Sequence, residues 1–361
     1  MKISFFDDEP EIFPLQYGGK ARTILNLARE FAKHPDVESV TILSRSIISK
    51  STKFKKYNIN FEVLTDDNTI SKIVKAAEKS DILNIHCCSF TFPNMECKAK
   101  KIYFLHDVLI ATAEKGSHLD KSLGGNFDAI LAPSEFAQKE YEKNRKKING
   151  KINCFVIPRH INNEIFCPIS KNEILKDPNT PFIIKEVAKK YKRILFFPAR
   201  PIEEKGSKYL LELAKYLDKF DKETCIIGIF DKCKNFPTNC INVSWIESEK
   251  LKYYYSIADV TLNFSLLPES FSQICIESVY CKTPVVSFKS GNIPYLNKKN
   301  QSIILTNSDL KSICDSIKQA YRLKDDSTIM LLEQKEIEKN YSKEIIVNEY
   351  INFYKKMIGG K

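Results

Sequence analysis

The sequence predicts an α/β protein of two domains, each built on a parallel sheet. Short apolar runs of strand length alternate with helix-like polar stretches, at the spacing of about 30 residues that is typical of βαβ units. The chain has 361 residues, which is more than one hydrophobic core usually supports. Hydrophobic residues make up 43% of the chain, enough for two sizeable cores.

The first domain is expected to begin with a buried strand, a glycine turn and an amphipathic helix. Residues 2–6 form the strand, Gly18 and Gly19 mark the turn, and residues 21–33 carry one apolar stripe of helical period. Further apolar runs predict strands within residues 40–43, 61–64, 82–86, 102–106, 128–134 and 154–158.

The boundary to the second domain is expected within a polar stretch between Pro168 and Tyr191. The predicted division gives a first domain of residues 1–168, a second of residues 169–342 and a helical segment at residues 343–361. Strands of the second domain are predicted within residues 194–197, 224–229, 241–243, 260–264 and 285–288.

Two carboxylates, Glu269 and Glu277, bracket a Ser-Phe-Ser turn in residues 263–288. The run predicts a strand, a tight loop, a helix of about three turns and a buried strand after Pro284. Glu269 falls near the helix N-terminus, whose unpaired N–H groups suit a phosphate, and Glu277 lies about two turns further on nearly the same face. The two carboxylates can therefore meet different parts of one ligand.

Cations follow the strand predicted at residues 194–197. Arg200 and Lys205 stand at its carboxyl end, with Gly206 next in the chain. Read alone, they are ordinary surface cations. Open α/β sheets bind ligands at this edge, however, and the position therefore favours a ligand site.

Both motifs resemble the signature of the family-4 retaining glycosyltransferases of the GT-B fold, also described as glycosyl transferases group 1. The matching segments are Glu269-Ser270-Phe271-Ser272, Glu277-Ser278, Thr283-Pro284-Val285-Val286 and Ala199-Arg200 with Glu204-Lys205-Gly206. Ser270, Ser272 and Ala199 stand where the family usually has glycine. Serine is less favourable than glycine where φ is positive, so this loop must accommodate side chains.

The resemblance implies a GT-B fold, in which two Rossmann-like domains face a central cleft and the C-terminal helix crosses back to the first domain. It also implies an enzyme that moves a sugar from a nucleotide diphosphate to an acceptor hydroxyl with retention of anomeric configuration. Surface-glycan synthesis, such as that of lipopolysaccharide or another polysaccharide, is the expected setting. The expected donor is a UDP-sugar, and the expected acceptor is a glycan or a lipid-linked glycan.

The same resemblance assigns donor-side roles in the second domain. Arg200 and Lys205 would hold the diphosphate, because fixed cations stabilise charge on the leaving oxygen. Glu269 would contact the sugar. The remaining donor-side contacts would be the amides of Phe271 and Ser272 on sugar and phosphate, Glu277 on the ribose, and Trp245 and Ile246 near the nucleobase.

In the first domain, the resemblance points to Gly18, Gly19 and His106. The glycines would let the backbone pass close to donor and acceptor, and His106 would contact the transferred sugar or the reaction centre. His86, at the end of another predicted strand, is interpreted as structural.

No metal and no cofactor are expected. The sequence has no Asp-x-Asp element near the motifs, so cationic side chains would take the place of Mg²⁺. The eleven cysteines lack zinc-site spacing and fall mostly in apolar runs, as reduced thiols of a cytoplasmic protein do.

The net charge of +11 is spread along the chain. Solubility explains it, and attraction to the anionic inner face of a membrane is the sharper alternative. No recognition motif for nucleic acid accompanies the charge, and we expect neither a transmembrane helix nor a signal peptide.

Two alternatives remain open at this stage. A GT-B sugar-nucleotide epimerase would convert a nucleotide sugar without an acceptor. An inactive sugar-nucleotide-binding subunit of a glycan-assembly complex would bind the donor without turnover, although such a subunit could lose any of Arg200, Lys205, Glu269 and Glu277 freely. A nicotinamide dehydrogenase is disfavoured, because no Gly-x-Gly-x-x-Gly follows the first strand.

Overall fold

The computed structural model describes residues 1–7, 19–44, 58–65, 68–86, 97–106, 127–145, 152–230, 236–243 and 245–359. The chain divides into two compact units, the first formed by Met1–His160 with Lys343–Lys361 and the second by Ile161–Ser342. Pro168, where the sequence placed the division, lies inside the second unit.

The first unit is built on one parallel sheet. Its described strands are β1 (Lys2–Asp7), β2 (Ser39–Ser44), β3 (Ile59–Val63), β4 (Ile82–His86), β5 (Lys100–Phe104), β6 (Ala129–Ala132) and β7 (Cys154–Val156). The described helices up to β7 are α1 (Gly19–Phe31), α2 (Thr69–Lys79) and α3 (Glu135–Arg145). The strand order is β3-β2-β1-β4-β5-β6-β7, so the order reverses between β1 and β4. Such a reversal is where open α/β sheets form a ligand crevice.

The central strands β1, β4 and β6 are buried along nearly their whole length, as strands of a parallel sheet covered on both faces are. All five residues of β4 are buried, and its bounds are those predicted. α1 begins two residues before the predicted helix, at Gly19, and packs its buried Ile24, Leu27 and Phe31 against the sheet.

The second unit carries a parallel sheet of its own. Its strands are β8 (Arg193–Phe197), β9 (Thr224–Gly228), β10 (Cys240–Asn242), β11 (Val260–Asn263), β12 (Val285–Phe288) and β13 (Ile303–Thr306). Its α-helices are α4 (Lys171–Lys176), α5 (Phe182–Lys190), α6 (Ser207–Phe220), α7 (Leu251–Ile257), α8 (Gln273–Tyr280), α9 (Ile293–Asn297), α10 (Leu310–Asp325) and α11 (Ser327–Tyr341). The strand order is β10-β9-β8-β11-β12-β13, which reverses between β8 and β11.

Three details of the second unit differ from the prediction. β13, with the sequence Ile-Ile-Leu-Thr, was not predicted, although it is as long as β12. α8 has eight residues, roughly two turns rather than three. The polar stretch between Pro168 and Tyr191, for which no element was predicted, contains α4 and α5. A capping box of Ser170 and Glu173 starts α4 there.

The chain ends in α12 (Lys343–Gly359), which belongs to the first unit. Tyr350 and Tyr354 on this helix meet the ring of Phe31 edge-on, with centroids 5.9 and 5.7 Å away. The Tyr354 hydroxyl donates to Oδ1 of buried Asn84 at 2.9 Å. α12 is therefore part of the first core, which is the placement implied for the last helix.

Candidate active site

The candidate site of the second unit lies where β8 and β11 end, beside the reversal of strand order. After β8 the chain makes one 3-10 turn, Glu203–Lys205, and passes through Gly206 into α6. Gly206 has a φ of 79°, and a Cβ there would lie 2.3 Å from the carbonyl oxygen of Phe264, just beyond β11. Only glycine lets the two segments approach so closely. The approach brings Lys205 against the loop that follows β11.

Lys205 and Glu269 form an ion pair at this point. Nζ of Lys205 lies 2.5 Å from Oε1 of Glu269, and the side chains are 27% and 18% exposed. The ammonium also donates to the hydroxyl of Ser265 at 3.4 Å. The site thus holds a cation suited to a phosphate beside a carboxylate suited to hydroxyl groups.

The loop that carries Glu269 is fixed by the segment after β12. Gly291 has a φ of 57°, and a Cβ there would lie 2.3 Å from the carbonyl oxygen of Glu269. The backbone N–H of Asn292 donates to that carbonyl at 2.8 Å, and its side-chain amide donates to the carbonyl of Phe271 at 3.1 Å. The backbone between Glu269 and Phe271 therefore has one defined conformation.

Ser272 adopts a left-handed conformation, with φ 68° and ψ 74°, immediately before α8. Ser272 stands where the family motif usually has glycine, and its positive φ explains why glycine would suit this position. Its hydroxyl accepts from Asn263 Nδ2 at 3.3 Å and donates to Cys275 Sγ at 3.2 Å. Ser270, the other serine of the turn, does not have a positive φ.

Phe271 contributes its backbone rather than its ring to any ligand site here. The side chain is 2% exposed and meets Tyr341 edge-on at 5.5 Å. Because the ring belongs to the core, only the main chain of Phe271 is left for a ligand. The ligand contact by the Phe271 amide, which the family resemblance implied, stays a prediction.

Glu277 lies inside α8 and is only 4% exposed. Its Oε2 accepts a hydrogen bond from the Tyr255 hydroxyl at 3.1 Å. A carboxylate this deep in the unit requires such donors, because burying an unpaired charge is costly.

The remaining predicted residues of the second unit stand nearer the surface. Arg200 follows β8 and is exposed. Trp245 is 45% exposed, whereas Ile246 is partly buried against the core that contains Tyr253. An exposed indole is available to stack with a ligand ring, and the chain has no other tryptophan.

A second polar cluster lies at the reversal of strand order in the first unit. Asp7 at the end of β1 pairs in register with His86 at the end of β4. Lys20, in the first turn of α1, forms a 2.7 Å ion pair with Asp7 and donates to the His86 carbonyl at 3.2 Å. Gly19 begins α1, and Gly18 lies outside the described residues.

His106 joins this cluster with both ring nitrogens engaged. Arg159 Nη2 lies 3.0 Å from its Nδ1, and its Nε2 lies 2.5 Å from Nδ1 of His86. A guanidinium only donates, so we assign the proton of neutral His106 to Nε2, which donates to His86. A substrate contact by His106 would therefore replace one of these two bonds.

Both imidazoles are held neutral. Burial lowers the pKa of His86 well below 6.5, and the charges of Lys20 and Arg159 lower it further. Burial likewise lowers the pKa of His106, with His86, Arg159 and Lys20 contributing. His86 Nε2 is buried and has no hydrogen-bond partner in the described part of the chain. His86 bonds directly to His106, and its structural role stays a prediction.

Sequence reasoning missed three side chains that hold these clusters together. They are Tyr255 beneath Glu277, Arg159 beside His106 and Lys20 beside Asp7. Tyr255 is the last of three consecutive tyrosines, and no local signal distinguishes it from Tyr253 and Tyr254. Lys20 directly follows the glycine pair, and that position could have suggested it.

Within the described ranges no group of three or more His, Cys, Asp or Glu side chains is arranged to hold a metal ion. A search of the same residues finds no helix that is both long enough and apolar enough to cross a membrane.

In comparisons with known proteins, the family model described as Glycosyl transferases group 1 matches residues 179–341. The matched segment contains the Lys205–Glu269 pair and Glu277. The comparison with curated protein sequences found no match.

Solved structures resemble the whole chain. HepE from Anabaena, in complex with UDP-glucose, has a TM-score of 0.76 at 16% identity, covering 98% of this chain and 99% of that one. Sucrose-phosphate synthase from Thermosynechococcus elongatus has a TM-score of 0.74 at 14% identity, covering 100% of both chains. A glycosyltransferase from Rickettsia africae has a TM-score of 0.72 at 16% identity, covering 100% of this chain and 99% of that one. The likeness confirms the predicted fold class, two Rossmann-like parallel-sheet units of the GT-B kind.

Proposed function

We propose that this protein is a retaining glycosyltransferase that moves a sugar from a nucleotide diphosphate sugar to an acceptor hydroxyl. The observation that carries the proposal is the Lys205–Glu269 pair, 2.5 Å apart at the carboxyl ends of β8 and β11. It lies inside the segment that matches Glycosyl transferases group 1. HepE, which shares the fold, was solved with UDP-glucose, and this favours a UDP-sugar as the donor.

In the proposed reaction, the second unit binds the donor through its diphosphate, sugar and ribose. Lys205 and exposed Arg200 hold the diphosphate, where a fixed ammonium and guanidinium offset charge on the departing oxygen. Glu269 accepts hydrogen bonds from the sugar hydroxyls. The amides of Phe271 and Ser272 hold sugar and phosphate, Glu277 accepts from the ribose, and Trp245 with Ile246 lies by the base.

We propose retention through attack on the face from which the phosphate departs. The leaving phosphate takes the acceptor proton, and the glycosidic bond forms as the bond to the diphosphate breaks. This mechanism needs no pair of catalytic carboxylates of the glycosidase kind. Because Lys205 and Arg200 compensate the leaving group, the reaction is proposed to proceed without a metal or other cofactor.

The acceptor side is proposed to be the first unit, with Gly18, Gly19 and His106. The acceptor is a glycan or lipid-linked glycan in surface-glycan synthesis, and the family-4 assignment belongs to this proposal. The net charge of +11 would attract the chain to the anionic inner face of a membrane from the cytoplasm.

Binding and turnover together test the function. Thermal-shift and calorimetric titrations against UDP-, GDP- and ADP-sugars should identify one nucleotide that binds, and binding should weaken in Lys205→Ala. Turnover of that donor should release the nucleotide diphosphate and give a product whose anomeric NMR signal matches the donor configuration. Accumulation of an epimerised nucleotide sugar without acceptor would favour the epimerase, and binding without any turnover would favour the inactive subunit.

A further inference from the structure

The hydroxyl of Tyr255 is buried where Glu277 needs a hydrogen-bond donor. Tyr255 is 1% exposed, and its ring packs edge-on against Phe196 with centroids 5.2 Å apart. Its hydroxyl lies 3.1 Å from Oε2 of Glu277. A phenylalanine would fill the same space in the core. The hydroxyl is therefore the part of this side chain that serves the carboxylate.

The backbone of Tyr255 is held in turn by Thr283, which follows α8. The Thr283 hydroxyl donates to the Tyr255 carbonyl at 2.7 Å and accepts from Lys324 Nζ at 2.7 Å. An ammonium can only donate, so the single hydroxyl proton of Thr283 remains available for the carbonyl. Tyr255 at the end of α7 is thus fixed by a directed chain of hydrogen bonds.

The same ammonium also holds the end of the helix that carries Glu277. Lys324 Nζ donates to the carbonyl of Lys282 at 3.0 Å, and Lys282 follows α8 with a φ of 58°. Burial lowers the pKa of Lys324 to about 8, so the group is mostly charged at neutral pH. One partly buried cation therefore ties the ends of α7 and α8 together.

We infer that Tyr255 is a positioning residue for Glu277 and thereby sets the affinity of the second unit for the nucleotide. The inference rests on the proposed function, in which Glu277 binds the ribose hydroxyls. By occupying Oε2 from within the core, Tyr255 holds the carboxylate in one rotamer. Glu277 then meets the ribose without first losing side-chain freedom.

Tyr255→Phe tests the inference directly. The variant keeps the ring and loses only the hydroxyl. We expect the Kd for UDP to rise by about three- to tenfold, because Glu277 must now lose side-chain freedom when it meets the ribose. kcat at saturating donor should change less than about twofold, since the bond acts equally on bound substrate and transition state.

Tyr254→Phe is the matched control. Tyr254 precedes Tyr255 on α7 and is 5% exposed. Within the described residues its hydroxyl makes no hydrogen bond to Glu277, which accepts from Tyr255 instead. Tyr254→Phe should bind UDP and unfold in urea as the wild type does. Tyr255→Phe should remain folded without urea but unfold at a lower urea concentration, because it removes a donor from the buried Glu277 carboxylate.

A double-mutant cycle separates positioning from general damage to the core. In the Glu277→Ala background, Tyr255→Phe should weaken UDP binding no further. If Tyr255→Phe only damaged the core, its loss of binding free energy would add in full to that of Glu277→Ala. If Glu277→Ala does not fold, Glu277→Gln replaces it. The hydroxyl then meets a neutral amide, so Tyr255→Phe should cost less than in the wild type.

The outcomes distinguish this inference from the proposed function. If Tyr255→Phe binds UDP as tightly as the wild type while Glu277→Ala loses affinity, the inference is wrong and the proposed function stands. Fully additive losses in the cycle also overturn the inference. If the wild-type protein binds no nucleotide at all, the proposed function is wrong and the role of Tyr255 falls with it.

Discussion

Each sheet pairs a lysine with a carboxylate where its strand order reverses. In the second unit the residues are Lys205 and Glu269, 2.5 Å apart. In the first unit they are Lys20 and Asp7, 2.7 Å apart, with exposures of 8% and 0%. The Lys20–Asp7 pair is too buried for either side chain to exchange its partner easily. Lys205 is 27% exposed, and its ammonium can leave Glu269 to bind an incoming phosphate. At the scale of single residues, exposure therefore distinguishes a structural ion pair from a candidate catalytic one.

Replacing Lys205 or Arg200 with alanine should lower kcat/KM by roughly 100-fold or more, because both cations act on charge that grows in the transition state. Folding should be nearly unchanged. Turnover of the identified nucleotide sugar is the measurement, and Lys189→Ala is the control. Lys189 is also an ion-paired lysine, with its Nζ 3.3 Å from Oε1 of Glu186. It lies in α5, before the start of β8, whereas Arg200 and Lys205 follow the end of β8. Full activity in both Lys205→Ala and Arg200→Ala would contradict this donor site.

The same two cations predict that activity does not depend on a metal ion. Turnover measured after treatment with excess EDTA should equal turnover in untreated protein, since Lys205 and Arg200 supply the charge that Mg²⁺ would otherwise supply. A loss of activity that Mg²⁺ or Mn²⁺ restores would show a metal site that this assignment lacks.

Replacing Glu277 should mainly weaken nucleotide binding, whereas replacing Glu269 should mainly lower turnover. Glu277→Ala should weaken binding of UDP itself about tenfold or more, because a charged hydrogen bond to the ribose is lost. Glu269→Ala should leave UDP affinity nearly intact, because Lys205 becomes available to the phosphate, while transfer of the sugar falls sharply. Calorimetry with UDP and turnover of the nucleotide sugar measure the two effects. The reverse pattern would exchange the two roles.

At the scale of elements, the sequence predicted those strands and helices whose apolar period is unambiguous. β4 and β12 have the predicted bounds, and α12 was predicted from residue 343. β13 was missed although it is as long as β12, because no proline break precedes it as Pro284 precedes β12. α4 was not predicted because it lies in a mostly polar stretch. Lys205 and Glu269 were predicted as site residues, but their direct contact depends on the approach of two loops. No local pattern encodes such a tertiary contact.

Gly206 allows the segment after β8 to pass close to the segment after β11, and Gly206→Ala should therefore force the two segments apart. The new Cβ would lie 2.3 Å from the Phe264 carbonyl oxygen, at a φ of 79°. We expect a loss of roughly 2–4 kcal/mol in the free energy of unfolding, together with lost turnover. Gly359→Ala is the control, because a Cβ there meets nothing within 4 Å. Equal urea midpoints for Gly206→Ala and wild type would mean that the loops can separate at little cost.

At the scale of the whole molecule, the units differ in their titratable groups. All five histidines lie within residues 1–160, and the second unit, residues 161–342, has none. In the first unit burial lowers the pKa of His160 to about 4 and lowers those of His86 and His106 well below 6.5. The histidines whose protonation folding opposes therefore all lie in the first unit.

The free energy of unfolding should consequently fall as the pH falls below about 6.5. Between pH 6.5 and about pH 4 the unfolded state protonates His160 while the folded state does not, so acid favours unfolding. Each such histidine contributes at most about 1.4 kcal/mol per pH unit in this window. Urea titrations followed by circular dichroism at pH 7 and about pH 5 measure the loss. His160→Gln should reduce the loss, whereas His34→Gln, at a partly exposed histidine beside Asp36, should leave it unchanged. If His160→Gln and wild type lose the same stability over this range, His160 is protonated in the folded protein and is not held neutral by burial.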